Sequence, residues 1–466
     1  MRIKRFVGDR AFYRRLFAVM TPVLVQNVIT NFVSLLDNVM VGQVGTEPMS
    51  GVAIVNQLLF IFNLCIFGGL AGAGIFTAQF YGKGDDKGVG DTFRIKLYIA
   101  AASMAIFTAL FLLQGEGLIS LFLHEGEEDL DLQATLGYGL DYLHVMLIQV
   151  LPFALAQVYA STLRETGETM LPMKAGIAAV FVNLMFNYVL IFGVDLGMFR
   201  IPALGVVGAA IATVIARFTE CFIVMYWTHR HRDKNPYIRG VYRSLKVPRQ
   251  LCRQIFIIGL PLLLNEVLWA SGMTMLNQCY SERGLEVVSA LNISSTVSNL
   301  FFCAFLAMGT TISIIVGQLL GAGESERAVD ENIKLTAFAV VLSAAVGVVM
   351  AVLAPMIPAI YNTTDMVKSL ASRLLIVSAV MMPLNAFVNS TYFTLRSGGK
   401  TVITFIFDSG FIWALSVPLA FVLSRFTVLP VVEMFILVEG LNLVKATLGF
   451  WLVRSRRWVN NLVETK

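Results

Sequence analysis

Long apolar stretches separated by short polar breaks run the length of the chain. Twelve of them read as helices: 16–41, 51–80, 93–114, 138–163, 171–193, 203–228, 254–279, 288–320, 332–356, 370–396, 401–424 and 428–453. Crossing the hydrocarbon of a bilayer as helix takes roughly 20 mostly apolar residues. The runs are continuous rather than alternating, which favours helices over a barrel. Several end at strong breakers, such as Gly82-Lys83-Gly84-Asp85 and Gly398-Gly399-Lys400. The expected fold class is an all-α polytopic membrane protein with twelve transmembrane helices.

Composition agrees. Of 466 residues 57% are apolar and 14% charged, with a mean hydropathy of +0.75; a soluble domain carries about 25% charged residues. The positive charge is segregated. The N-terminal arm has Arg2, Lys4, Arg5, Arg10, Arg14 and Arg15, and the connection 229–253 has Arg230, Arg232, Lys234, Arg239, Arg243, Lys246, Arg249 and Arg253. The tail adds Arg454, Arg456, Arg457 and Lys466, whereas 43–50 and the acidic stretch 115–137 have no Lys or Arg. By the positive-inside rule both termini are cytoplasmic, which requires an even number of spans. The N-terminus runs into a full-length span without a cleavage site, so it reads as no signal peptide. The net charge of +5 follows from this bias toward an anionic inner leaflet. Basic residues spread along membrane-flanking loops argue for lipid neighbours and against nucleic acid. Cys65, Cys221, Cys252, Cys279 and Cys303 lack metal-ligand spacing, and His124, His229 and His231 form no cluster with them. With no nucleophile elbow, P-loop or dinucleotide fingerprint either, the chain reads as neither an enzyme nor a cofactor carrier.

The chain also repeats. One offset lays Pro22 on Pro261, Asn38 on Asn277, Ser50 on Ser289, Gln79 on Gln318, Gly82 on Gly321 and Gly84 on Gly323. A second offset lays Thr162-Leu163-Arg164 on Thr394-Leu395-Arg396, Gly167 on Gly399 and Thr169 on Thr401. The expected organisation is a six-helix lobe over 1–228, a basic cytoplasmic linker over 229–253 and a second six-helix lobe over 254–466. Six spans per half make the repeats parallel. Such architectures place a substrate site between repeats, which favours a transporter.

Polar residues inside the apolar stretches are the candidates for chemistry. An ionised carboxylate near mid-membrane costs about 2.5–3.5 kcal/mol or more, so Asp37 either faces a cavity or a cation, or reaches water at the outer end of its helix. Asn183 and Asn187, spaced i, i+4, share one helix face. Their amide oxygens suit a hard cation; the plainer alternative is hydrogen-bonded glue between helices, worth about 0.6 kcal/mol per bond. Thr213 would add a hydroxyl. Glu266 is a candidate for proton or substrate contact, and Gln57 and Asn292 for lining a cleft. Arg217 and Glu220, spaced i, i+3, are expected to pair. Asp408, Glu439 and Lys445 are intramembrane candidates without assigned partners. Pro22 and Pro261 each remove a backbone bond one-third of the way into a helix, as a hinge or as a static kink.

The segments TPVLVQNVITNFVSLLDNVMVG (21–42), AQFYGKGD (78–85), STLRETGETMLP (161–172), VNLMFNYVLIFG (182–193) and GVVGAAIATVIAR (205–217) resemble the multidrug and toxic compound extrusion (MATE) transporters, and the similarity covers nearly the whole chain. The resemblance implies two six-helix lobes in a V, and antiport of organic, often cationic compounds against Na⁺ or H⁺. It implies that Asp37 is the essential acid of the first helix, and that Asn183, Asn187 and Thr213 belong with it to a cation site in the N-terminal lobe, with Na⁺ as the metal if that is the coupling ion. Some branches carry a second Asp where Asn187 stands, so this site has one negative charge. A functional Glu in the seventh helix of some relatives lies at a later register, where this chain has Trp269. Where others have an Asp in the tenth helix, this chain has Pro383, Leu384 and Asn385.

The expected function is therefore a cation-coupled antiporter working by alternating access, a monomer in the plasma membrane that exports small organic substrates. Two alternatives stand beside it. A major-facilitator carrier also has six-plus-six spans, but its basic, Asp-Arg-rich turn after the second helix is replaced by YGKGDDKGVG. A flippase for lipid-linked precursors would share the fold, but should carry more cationic residues within the membrane.

Overall fold

The computed structural model describes residues 6–123, 131–195, 200–244, 246–361 and 363–464. Arg2, Lys4, Arg5, His124 and Lys466 lie outside the described residues, as do the side chains of 33–35, 38, 39 and 200. Twelve long helices follow one another among the described residues: α1 Arg10–Gly42, α2 Thr46–Lys83, α3 Asp86–Ser120, α4 Leu132–Glu165, α5 Met170–Phe192, α6 Gly205–Arg230, α7 Arg249–Ser281, α8 Leu285–Gly321, α9 Ser325–Leu353, α10 Asp365–Ser397, α11 Thr401–Phe426 and α12 Val431–Arg454. Ten of them are long and apolar enough to cross a membrane, and α1 and α12 complete the set.

Three local features go beyond the apolar pattern. α4 tightens to a 3-10 turn at Leu147–Gln149, just before Pro152, which lacks a backbone donor. A two-residue hairpin, Val194–Asp195 against Arg200–Ile201, joins α5 to α6. α11 widens into π-type turns at Ile406–Gly410 and Ile412–Ser416.

The outward faces are apolar. On α9, Val341, Val348 and Val352 are 67%, 65% and 64% exposed and lie on one face at helical spacing. Large side chains exposed in rows like this, on helix after helix, are covered by lipid rather than water. The chain is a multi-pass membrane protein.

Contacts divide the chain into two compact units. One comprises Met1–Leu24, Ala78–Asp85 and Gln254–Lys466; the other comprises Val25–Thr77 and Asp86–Arg253. In the first, Leu16, Met20 and Val23 of α1 join Met308, Ile312 and Ile315 of α8 and Leu395 of α10 in one core. The chain beyond α12 folds back into this unit. Trp458 is fully buried, and the Gln79 side chain donates to the carbonyls of Ser397 and Asn460 and accepts from the Leu462 amide. The second unit is built on Val55, Leu58, Ile119, Leu143 and Ala210. It includes the connection 229–253, whose basic side chains are exposed while Asn235, Tyr237, Ile238 and Val241 are buried. Arg94 Nε donates to the Val241 carbonyl at 2.8 Å, and the Tyr159 hydroxyl meets Tyr242 and His229.

The sequence repeat has a physical basis. α1 and α7 are each 33 residues long, with Pro22 and Pro261 at matching positions inside them. Gly84 and Gly323 have φ of +77° and +79°, and Gly167 and Gly399 have +89° and +71°. Each ends a helix through the same pair of bonds: Gly84 N to Tyr81 O with Asp85 N to Phe80 O, Gly323 N to Leu320 O with Glu324 N to Leu319 O, and likewise after Leu163 and Leu395. This is the Schellman cap, which requires the left-handed conformation that glycine adopts freely. Gly82 and Gly321 recur for a different reason. A Cβ on Gly82 would lie 1.9 Å from the Gln318 carbonyl oxygen, and one on Gly321 would lie 1.9 Å from that of Gln79. The ends of α2 and α8 cross reciprocally, backbone on backbone.

Gly82→Ala and Gly321→Ala are each expected to destabilise the fold by about 1–3 kcal/mol through overpacking. Gly440→Ala meets nothing within 4 Å and should be neutral. Thermal unfolding in detergent checks the contrast: the first two lower Tm by several degrees and the third does not.

Candidate functional site

α5 sets up the clearest polar cluster. Phe181, Met185 and Tyr188 are exposed on one of its faces, which turns Asn183 and Asn187 inward, 5% and 1% exposed. Asn187 Nδ2 donates to Asp37 Oδ1 at 2.6 Å and to Asn183 Oδ1 at 3.2 Å. Asn183 Nδ2 reaches the Thr213 hydroxyl at 3.3 Å, and that hydroxyl donates to the Ala209 carbonyl at 3.0 Å. Three helices, α1, α5 and α6, thus bring together the four residues expected from the sequence.

The Asn183 amide is better satisfied in the opposite orientation. Turned over, its nitrogen donates to Asp37 Oδ1 at 2.9 Å and to Oδ2 at 3.3 Å. The donors on Asp37 are therefore neutral amides, and Asn187 Oδ1 is buried without a hydrogen-bond partner. An unsatisfied buried acceptor costs about 1–3 kcal/mol. A half-buried carboxylate, two amide oxygens and a hydroxyl are hard oxygen donors of the kind that bind an alkali cation. An amide that points N–H at a bare carboxylate can turn its oxygen toward an arriving ion. No group of three His, Cys, Asp or Glu is found among the described residues, so a metal here would rest on amide and hydroxyl oxygens. Tyr142, fully enclosed nearby in the same unit, donates to Asn56 Oδ1 at 3.2 Å; neither was singled out from sequence. Gln57, the next residue, is exposed, as is Asn292.

A second network lies on α7, α10, α11 and α12. Lys445 Nζ pairs with Asp408 Oδ1 at 2.8 Å, and Asn265 Nδ2 donates to Asp408 Oδ2 at 3.0 Å. Asn265 Oδ1 accepts from the Ser409 amide and hydroxyl. This side chain inserted at the backbone of α11 accounts for its wide turns. Glu439 is held by Asn442, which also donates to Asn385. Glu266 is only half-buried, and its neighbour Asn265, 2% exposed, is the residue that reaches α11. Pro22 is buried and Pro261 half-buried.

Two further ion pairs lie in the first-half helices. Arg217 and Glu220 pair at 2.9 Å as their spacing predicts, and Arg217 also lies over the Phe153 ring. Lys96 of α3, fully enclosed, pairs with Glu165 and contacts Ser161 and Thr162 at 3.2 and 3.1 Å. Lys96 was not anticipated, because one lysine near the start of an apolar stretch looks like an interfacial residue.

Comparison with known proteins adds to this geometry. The profile of the MatE family matches residues 22–189 and again 261–422. The chain is 23% identical over 455 residues to a probable multidrug resistance protein NorM of Thermotoga maritima, covering 97% of this chain and 94% of that protein. It is 25% identical over 418 residues to the multidrug resistance protein MdtK of Pectobacterium atrosepticum, covering 88% and 87%. The solved outward-facing structure of a multidrug resistance MATE family transporter of the MOP superfamily superposes with a TM-score of 0.84 at 19% identity, over 97% of each chain.

Glu165→Gln leaves the Lys96 ammonium buried without its counter-charge and is expected to destabilise by about 3–5 kcal/mol. Lys96→Met combined with Glu165→Gln removes both charges and should recover most of that loss. Unfolding of both variants in detergent checks this; equal stability of the two would remove the ion-pair account.

Proposed function

Since the chain belongs to the MatE family of transporters and is not an enzyme, we propose that it is a cation-coupled antiporter exporting small organic compounds. The observation that carries this reading is the Asp37 cluster, an intramembrane acid with neutral amide donors and a buried, unpaired amide oxygen beside it. The names of its relatives, multidrug resistance proteins, support the substrate class.

A cation, Na⁺ or H⁺, enters at Asp37. Sodium would be held by the carboxylate, the amide oxygens of Asn183 and Asn187, and the Thr213 hydroxyl; a proton needs Asp37 alone. Neutralising Asp37 ends its demand for N–H donors, so the amides turn and the contacts of α1 change. α1 is suited to respond. Pro22 interrupts its hydrogen-bond ladder, and the division between the compact units falls between Leu24 and Val25. Bending of α1 then shifts the balance between two access states, because the ion binds one of them better. The protein is a monomer in the plasma membrane with both termini cytoplasmic, in keeping with the Lys and Arg distribution.

The driving force is sufficient. A potential of 100 mV is worth about 2.3 kcal/mol per charge, which sustains roughly 50-fold accumulation of a neutral substrate per ion, at about 1.4 kcal/mol per factor of ten.

Asp37→Asn is expected to abolish gradient-driven efflux while leaving expression and Tm near wild type. Asn187→Ala should weaken cation affinity roughly 10–100-fold, as loss of a supporting ligand does. Dye efflux from proteoliposomes under separately imposed Na⁺ and H⁺ gradients measures both and identifies the ion; wild-type transport by Asp37→Asn would overturn the proposal.

A further inference from the structure

Each half of the chain holds an intramembrane acid that receives amide donors, Asp37 in the first and Asp408 in the second. Asp37 receives neutral amide donors. Asp408 receives an amide donor from Asn265 and, in addition, a cation from the chain itself, Lys445 Nζ at 2.8 Å. The ammonium also lies 5.4 Å from the centre of the Phe407 ring and 5.7 Å from that of Phe411. A carboxylate with two aromatic faces is a setting that holds a cation. Lys445 is 5% exposed, so the pair is removed from water.

The repeat locates the Asp408 site in the scaffold. The offset that lays Thr162 on Thr394 also lays Gly176 on Asp408. The offset that lays Pro22 on Pro261 lays Gln26 on Asn265. The structure honours both. In the first half the Gln26 amide lies against Gly176, 3.3 Å from where its Cβ would be; in the second half Asn265 meets Asp408. The same helix positions face each other twice. Where the first half has Gly176 and no charge, the second half carries Asp408 together with its own cation.

We infer that Lys445 is a tethered counter-cation: its ammonium fills the place beside Asp408 that a mobile monovalent cation would otherwise take, so that Asp408 binds no coupling ion. A buried carboxylate needs a positive partner, and Asp408 has one that cannot dissociate from the protein. The nearby Glu439 accepts from Asn442 at 3.1 Å. The proposal rests on the Asp37 reading only where it implies a single coupling ion per chain. The occupancy of Asp408 by Lys445 is tested separately.

The decisive variant is Lys445→Thr, which removes the tethered cation and leaves a hydroxyl in its place. Binding of radiolabelled sodium to the purified full-length protein is compared in the wild type, Asp37→Asn, Lys445→Thr, Asp37→Asn with Lys445→Thr, and Lys445→Thr with Asp408→Asn. Lys445→Thr should gain one sodium per chain over its parent in both the wild-type and the Asp37→Asn background. Adding Asp408→Asn should remove that gain, and Lys445→Arg, which keeps a cation in place, should show none. No gain in either background overturns the inference, since Asp408 would then neutralise itself by taking a proton. Should Lys445→Thr be unstable, rescue of its Tm by sodium chloride but not choline chloride supports the inference; rescue only by Asp408→Asn marks a merely structural pair and overturns it. Failure of the Asp37 reading appears elsewhere, in the comparison of wild type with Asp37→Asn.

Discussion

A charge inside the hydrocarbon must be answered by something, and much of this structure follows from how each one is answered. Lys96 has Glu165 and two hydroxyls, Arg217 has Glu220, and Asp408 has Lys445. The hydrogen bonds that Asp37 accepts come from neutral amides. The bilayer supplies no compensating water, so an acid left in that state is poised to take up a positive charge. The structural pairs and the candidate site thus obey one rule, and they differ in whether the partner belongs to the chain.

The same economy governs the backbone. A helix that ends inside or near the membrane leaves carbonyls without donors, and Gly84, Gly167, Gly323 and Gly399 end theirs with identical caps. Gly82 and Gly321 let two helices cross with carbonyls where side chains would otherwise be. These positions recur between the halves because backbone geometry tolerates nothing else. Side chains such as Gln26 and Asn265, at matching positions, answer to their local chemistry and differ.

This division explains what was legible. Helix number, order and approximate ends follow from apolar run length and breakers, and the repeat from residues that backbone geometry fixes. Asp37, Asn183, Asn187 and Thr213 were legible as a set through i, i+4 spacing and motif resemblance. Helix rotation was not. Consecutive residues differ by about 100° around a helix, so Asn265 and Glu266 are indistinguishable by depth, yet Asn265 reaches α11 while Glu266 is half-buried. The pairing of Asp408 with Lys445 across α11 and α12, and of Lys96 with Glu165 across α3 and α4, depends on two rotations at once. The connection 229–253 reads as a basic linker, and its buried Tyr237, Ile238 and Val241 are too few to register as an apolar run.

The asymmetry between the halves has an energetic consequence. If Asp37 couples one ion per cycle, as proposed, and Asp408 stays bound to its own lysine, each cycle moves one coupling charge. Exchange for a neutral compound then draws on the full membrane potential. Exchange for a singly charged organic cation is electrically silent, and only the concentration gradient of the ion drives it. An acid in the second half without Lys445 would couple a second ion and restore a voltage-driven step for cationic cargo. Under that proposal, the identity of one residue on α12 bears on which charge class of substrate could be concentrated against a potential.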